Sequence, residues 1–159
     1  MTPEEKIKSM GLTLQDFEKI GYYGDEYGKM KAFHLAGKVL FLSAHVPIWE
    51  GKIIHPGRLG EPVTIPEGYE AGRLTALNVL AGVKQAIGPL SGIKSLVRSV
   101  IYIPCAPDFT QVHKVADGMT DLLVEILGEE KGRGGRAAIG VQRLANDICF
   151  EAWCTFEIE

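Results

Sequence analysis

Two charged residues stand where the surrounding pattern asks for apolar ones. Arg136 follows "GRGG", three glycines in four residues, and opens the apolar run "RAAIGV". Glu151 sits inside a second such run, "ICFEAWCTFEI". A guanidinium is a planar fork of donors that stays charged at any relevant pH and fits a carboxylate bidentately. A carboxylate can position a water and move protons. Together they could hold a small carboxylic acid and position a water beside it, an arrangement that requires no metal, nucleotide or covalent nucleophile. Antiparallel pairing across Gln142 to Asp147 would set Arg136 opposite Trp153 and Ala138 opposite Glu151. Arg136 and Glu151 would then be diagonal neighbours on one sheet face. A slip of one residue would part them. The bland alternative is an ion pair between subunits that only fixes an assembly.

Other chemistries find less footing. His34, His45, His55 and His113 are spread widely and show no metal-ligand spacing. Cys105, Cys149 and Cys154 lack a C-x-x-C arrangement, and nothing orients a Cys105–His113 nucleophile pair. "GRGGR" precedes a strand and lacks the lysine and hydroxyl of a phosphate loop. No metal or other cofactor is expected.

The elements that must position these groups read as follows. At 159 residues the chain is expected to be one domain, residues 1–159, with residues 1–30 as an N-terminal extension. Thr2 and Glu5 form a capping box, with Pro3 in the first turn of a short helix that ends near Gly11. Lys31–Ala36 and Lys38–Val46 flank Gly37 as a hairpin. Pro47–Glu61 is a long glycine- and proline-marked connection. Thr64 and Glu67 cap a long helix that runs to Ile87, and Ser95–Ile103 is a strand. A second helix carries Val112, Val115, Met119, Leu122 and Ile126 and closes at Gly128. Strands near Ala137–Val141 and Ile148–Ile158 complete an α+β chain of order β-β-α-β-α-β-β. Two helices cover one face of the sheet. The other face, with Glu151 and Trp153, is a candidate subunit interface.

With a net charge of −3 and no basic, aromatic-interleaved patch, nucleic acid is an unexpected partner. The longest apolar runs are too short to span a membrane. The charged N-terminus lacks a secretory apolar core, and the odd cysteine count points to reduced thiols in the cytoplasm.

Four blocks in order, "GKVLFLSAHVP", "EGYEAGRLTALNVLAGVKQAIG", "APDFTQVHKVADGMTDLLVEILGE" and the closing arginine and glutamate strands, resemble the reactive intermediate deaminases. This is the RidA or YjgF family, also described as L-PSP endoribonucleases. The resemblance covers about Lys31 to Glu159, and the longer N-terminus and "PGRLGE" insertion resemble a subgroup. It implies a chorismate-mutase-like fold, a homotrimer and small-molecule clefts between adjacent subunits. Arg136 would hold the substrate carboxylate, and Glu151 would position water to hydrolyse an enamine or imine. Ser43 and Ala44 match a Ser-Gly pair in the family's cleft, and Ala138 would lend main-chain groups. Three positions depart from the pattern. Met30 stands for a tyrosine that Tyr22, Tyr23 or Tyr27 would have to replace, Ala44 stands for glycine, and Asp117 stands for asparagine. A carboxylate at position 117 would repel an acid substrate or demand a different one. The leading expectation is a cofactor-free deaminase acting on a small carboxylic acid. The rival is a non-catalytic trimer that binds a small carboxylate metabolite, and ribonuclease is a third reading.

Overall fold

The structure, a computed structural model, describes residues 1–24 and 26–159. The N-terminal segment carries α1 (Pro3–Ser9) and α2 (Phe17–Ile20). The α1 capping box is made as expected: the Thr2 hydroxyl accepts from the Glu5 N–H at 3.1 Å and the Glu5 carboxylate accepts from the Thr2 N–H at 2.8 Å. Ile7 and Phe17 are both buried, which ties the segment to the body of the protein. Glu4 adds a polar tie. It accepts from the Leu90 N–H at 2.9 Å and from Lys84 Nζ at 3.1 Å. Burial raises its pKa, but these donors outweigh burial and leave it lowered.

The hairpin β1 (Phe33–Ala36) and β2 (Val39–Leu42) turns at Gly37, whose φ of +60° is the left-handed backbone that glycine adopts without strain. The connection after it holds two small two-stranded units. These are β3 (Ile48–Trp49) with β4 (Lys52–Ile53), and β5 (Arg58–Leu59) with β6 (Pro62–Val63). Helix α3 (Ile65–Ile87) starts on the Thr64/Glu67 capping box. It is followed by β7 (Ile93–Pro104), α4 (Val112–Leu127), the short α5 (Glu129–Gly132), β8 (Gly135–Val141) and β9 (Glu151–Ile158).

The main sheet has the order β1-β2-β9-β7-β8. Both β2 and β7 run antiparallel to β9, whereas β8 runs parallel to β7. The antiparallel pairing of the last two strands expected from sequence is therefore incorrect. Arg136 lies opposite Ser99, not Trp153, and Ala138 lies opposite Ile101, not Glu151. The cause is α4, which carries the chain back along β7, so β8 joins in parallel at the free edge as in any β-α-β crossover. Strand β9 then fills the gap between β7 and β2.

Helices α3 and α4 cover one face, onto which β7 projects Ile93, Leu96, Ser99, Ile101 and Ile103. Phe150, Ala152, Cys154 and Phe156 fill the same layer, all buried as the alternation predicts. Cys149 departs from the alternation: it is buried, with its thiol 3.8 Å from the Ile54 carbonyl. The two helices approach closely at Gly118, where a Cβ would stand 2.1 Å from the Tyr69 carbonyl oxygen. The other sheet face is uncovered. It leaves Phe41 47%, Trp153 46% and Ile139 40% exposed.

Candidate functional site

The sheet register assigns the two charged residues to opposite faces. Arg136 shares the helix-side face with Ser99 and Cys154, and Glu151 shares the uncovered face with Tyr102, Ile139 and Trp153. Within one chain they do not meet. The expected diagonal pair is a correction forced by β8 lying on the far side of β7.

The first cavity, about 290 Å³, lies between α4 and the start of β8 and is lined by Ser99, Asp117, Thr120, Asp121, Arg133 and Arg136. One helical face presents Asp117, Thr120 and Asp121 at i, i+3 and i+4 spacing. Arg136 Nη1 donates to Asp117 Oδ1 at 2.8 Å and to Thr120 Oγ1 at 3.1 Å. Asp121 accepts from the Tyr69 hydroxyl at 2.8 Å, and that hydrogen bond is the main reason the Tyr69 pKa is raised. The Ser99 hydroxyl is buried with no hydrogen-bond partner. The glycines before Arg136 serve packing within the chain. A Cβ at Gly134 would stand 2.5 Å from the Leu96 carbonyl oxygen, and one at Gly132 would stand 2.6 Å from that of Leu123. Ala138 packs beside the core on β8, an edge strand, and its side chain does not line this cavity.

The second cavity, about 240 Å³, is lined by Tyr22, Tyr23, Tyr27, Met30, Ala44 and Glu151, with Val46 and Ile148. All three candidate tyrosines thus gather around Glu151 together with Met30. The Glu151 carboxylate accepts from Trp153 Nε1 at 3.0 Å. The Tyr22 hydroxyl donates to the Ala44 carbonyl. Burial, and then the charge of Glu151, raise the Tyr22 pKa, so the phenol stays protonated. The Tyr23 hydroxyl donates to the Val46 carbonyl at 3.2 Å and accepts from the Val46 N–H at 3.1 Å. Ser43 is engaged elsewhere: its hydroxyl donates to the Lys31 carbonyl, and it is not among the residues lining this cavity.

His45 lies beneath this second cavity, fully buried against Phe17, Tyr22 and Tyr23, with ring centroids 5.3 to 5.8 Å away. Neither ring nitrogen has a hydrogen-bond partner. Burial pushes its pKa down to about 3, so the imidazole is neutral. A Cβ at Gly82 would stand 2.6 Å from its Nε2, so α3 needs glycine there.

Sequence reasoning missed Thr120 and Ser99. The spacing from Asp117 contained the signal for Thr120; Ser99 needed the β7–β8 register. Burial lifts both Cys149 and Cys154 to a pKa of about 12, which makes them poor nucleophiles. Among the described residues, no group of three or more His, Cys, Asp or Glu side chains could hold a metal ion, and no helix is long and apolar enough to cross a membrane.

Comparison with known proteins converges on one family. The model of the YjgF/chorismate mutase-like endoribonuclease family matches residues 10–150. The chain is 35% identical over 109 residues to Protein TCP17 of Trypanosoma cruzi, covering 69% of this chain and 68% of that protein. A crystal structure of a Shewanella oneidensis protein superposes with a TM-score of 0.90 at 31% identity, covering 99% of this chain and 100% of that one. Atu1372 of Agrobacterium tumefaciens, a protein of unknown function, gives a TM-score of 0.88 at 30% identity over 99% and 94% of the two chains. With the β-β-α-β-α-β-β order and helix-covered sheet described above, these matches make the chain a member of the YjgF/chorismate mutase-like family.

Proposed function

We propose that the protein is a cofactor-free deaminase that hydrolyses the enamine or imine of a small carboxylic acid, in clefts between adjacent protomers of a homotrimer. Family membership supports a broad small-molecule-binding or deaminase-like role. One protein of the same fold, E. coli TdcF, was crystallised with bound serine. The observation that carries the reading is the separation of Arg136 and Glu151 onto opposite faces of one sheet, each beside its own cavity. One chain therefore holds two half-sites. Apposition of the uncovered face of one copy, with its exposed Phe41, Trp153 and Ile139, to the β8 edge of the next would unite them.

In the united cleft the donors of Arg136 not used by Asp117 and Thr120 hold the substrate carboxylate. The Ala44 segment forms the floor, with Ser43 acting through its backbone, and Ala138 lends main-chain groups from the β8 edge. An enamine tautomerises to its imine. Glu151 then orients a water and takes its proton as the oxygen adds to the C=N carbon. The carbinolamine collapses, the C–N bond breaks, and ammonia leaves a 2-oxo acid. A cytoplasmic setting fits the three free cysteines.

The Asp117–Arg136 ion pair favours a second reading. An arginine already partnered is a weaker anchor, which suits a trimer that binds a metabolite without turning it over. A trapping assay separates the two. An amino-acid oxidase generates imino acids in situ, semicarbazide competes for them, and light scattering reports the assembly. Loss of semicarbazone with wild type, abolished in Arg136→Ala, is the expected result. Unchanged trapping by a trimeric wild type across many side chains overturns the deaminase reading.

A further inference from the structure

We infer that Asp117 makes the Arg136 cavity selective for zwitterions, small acids with a cationic N–H group beside the carboxylate, over simple carboxylate anions. The inference rests on Arg136 being the ligand anchor. Arg136 spends one nitrogen, Nη1, on Asp117 and Thr120. Among the described residues its Nε and Nη2 take no side-chain partner, and they form the edge of the fork that fits a carboxylate. Asp117 bonds Arg136 through Oδ1, and among the described residues its Oδ2 takes no side-chain partner. One cavity is thus lined by a residue with unspent donors and a residue with an unspent acceptor, groups that complement a carboxylate next to an N–H cation.

The charges around the cavity point the same way. Arg133, Arg136, Asp117 and Asp121 line it, two charges of each sign, and Glu129 already holds Arg133 through contacts of 2.6 and 3.2 Å. A bare anion would enter a field with no net positive charge, whereas a zwitterion adds none of its own. An independent feature of the same cavity calls for a polar occupant. The Ser99 hydroxyl, on a residue 1% exposed, lines it with no hydrogen-bond partner, a state that costs free energy until a polar group arrives.

The chemistry is consistent with hydrolysis. A carboxylate beside the substrate nitrogen favours the protonated iminium, which is the form of C=N that water attacks. Water adds to the iminium carbon, the nitrogen takes a second proton by transfer within the carbinolamine, and ammonia departs. Asp117 thereby selects for the electrophilic state of the substrate.

The test compares two ligands with the same carbon skeleton, 2-aminobutyrate and butyrate, by titration calorimetry at low salt. For wild type, 2-aminobutyrate is expected to bind about tenfold to a hundredfold more tightly, the value of one charge-assisted hydrogen bond. Asp117→Asn keeps the shape and a neutral oxygen for Arg136. It is expected to weaken 2-aminobutyrate, strengthen butyrate and bring the two within about threefold. Arg136→Gln is expected to abolish both. Equal or tighter butyrate binding by wild type, or an unchanged ratio in Asp117→Asn, overturns the selectivity while leaving Arg136 as an anchor. Undiminished binding in Arg136→Gln, or no binding of either ligand to wild type, overturns the anchor itself. Light scattering and a thermal melt on each variant keep misfolding distinct from lost affinity.

Discussion

The two half-sites are built on opposite physical plans. Around Arg136 the groups are polar, partly solvated and paired, held by one face of α4 and an edge strand. Around Glu151 they are aromatic, contributed by tyrosines of the N-terminal segment. The first plan recognises charge, which needs fixed donors and tolerates water. The second sets one carboxylate among tyrosines whose hydroxyls are themselves hydrogen-bonded. Under the proposed function, recognition and chemistry fall to different materials, and every change below should act on one half more than on the other.

Acid should break the aromatic half first. The unfolded chain protonates His45 near pH 6.5, whereas the folded chain resists until about pH 3. Folded His45 binds its proton more weakly, so stability is lost as pH falls from 6.5 towards 3, by about 4–5 kcal/mol in total. Denaturant unfolding at several pH values should show the slope in wild type and lose it in His45→Leu; an identical slope in the variant would assign acid lability to other groups. Next in size is Glu151→Gln. It should lower kcat in the trapping assay by about a hundredfold or more while leaving the affinity for 2-aminobutyrate nearly unchanged. A matching loss of affinity would mean that Glu151 also holds the ligand.

Gly118→Ala strikes the other half. Its new methyl would meet the Tyr69 carbonyl, push α4 away from α3 and cost about 1–3 kcal/mol. A thermal melt should record the loss, and ligand affinity should fall because Asp117 and Thr120 ride on the displaced helix. The smallest expected effect is that of Tyr22→Phe, which removes the hydrogen bond to the Ala44 carbonyl for about 1 kcal/mol. Since the Arg136 half is untouched, ligand affinity should hold. A fall in affinity would show that the halves communicate.

Local chemistry was readable from the sequence, whereas long-range pairing was not. Thr2 with Glu5 and Thr64 with Glu67 announce helix starts because a capping box spans four residues. The buried face of β9 follows from its period-two alternation, and the candidate residues Arg136 and Glu151 stand out as charges in apolar runs. The partner of β8, however, depends on α4 acting as a crossover, a choice that neither strand encodes alone. That single pairing decides which face Arg136 occupies, and so hid both its contact with Asp117 and the presence of Ser99. The gathering of Tyr22, Tyr23 and Tyr27 about Glu151 joins segments more than a hundred residues apart, beyond the reach of any local pattern.

The position of β9 in the sheet also bears on how the protein is made. It lies between β2 and β7, yet the ribosome delivers it after all four strands it assembles with. Until Glu151–Ile158 emerge, the hairpin and the β7–β8 pair have no strand to join them, and the apolar faces of α3 and α4 lack the Phe150 and Phe156 side chains they close upon. A nascent chain stalled before that point displays two unpaired strand edges and an open core, a form open to chaperones and to aggregation. Closure of the sheet must therefore wait for the insertion of this one central strand.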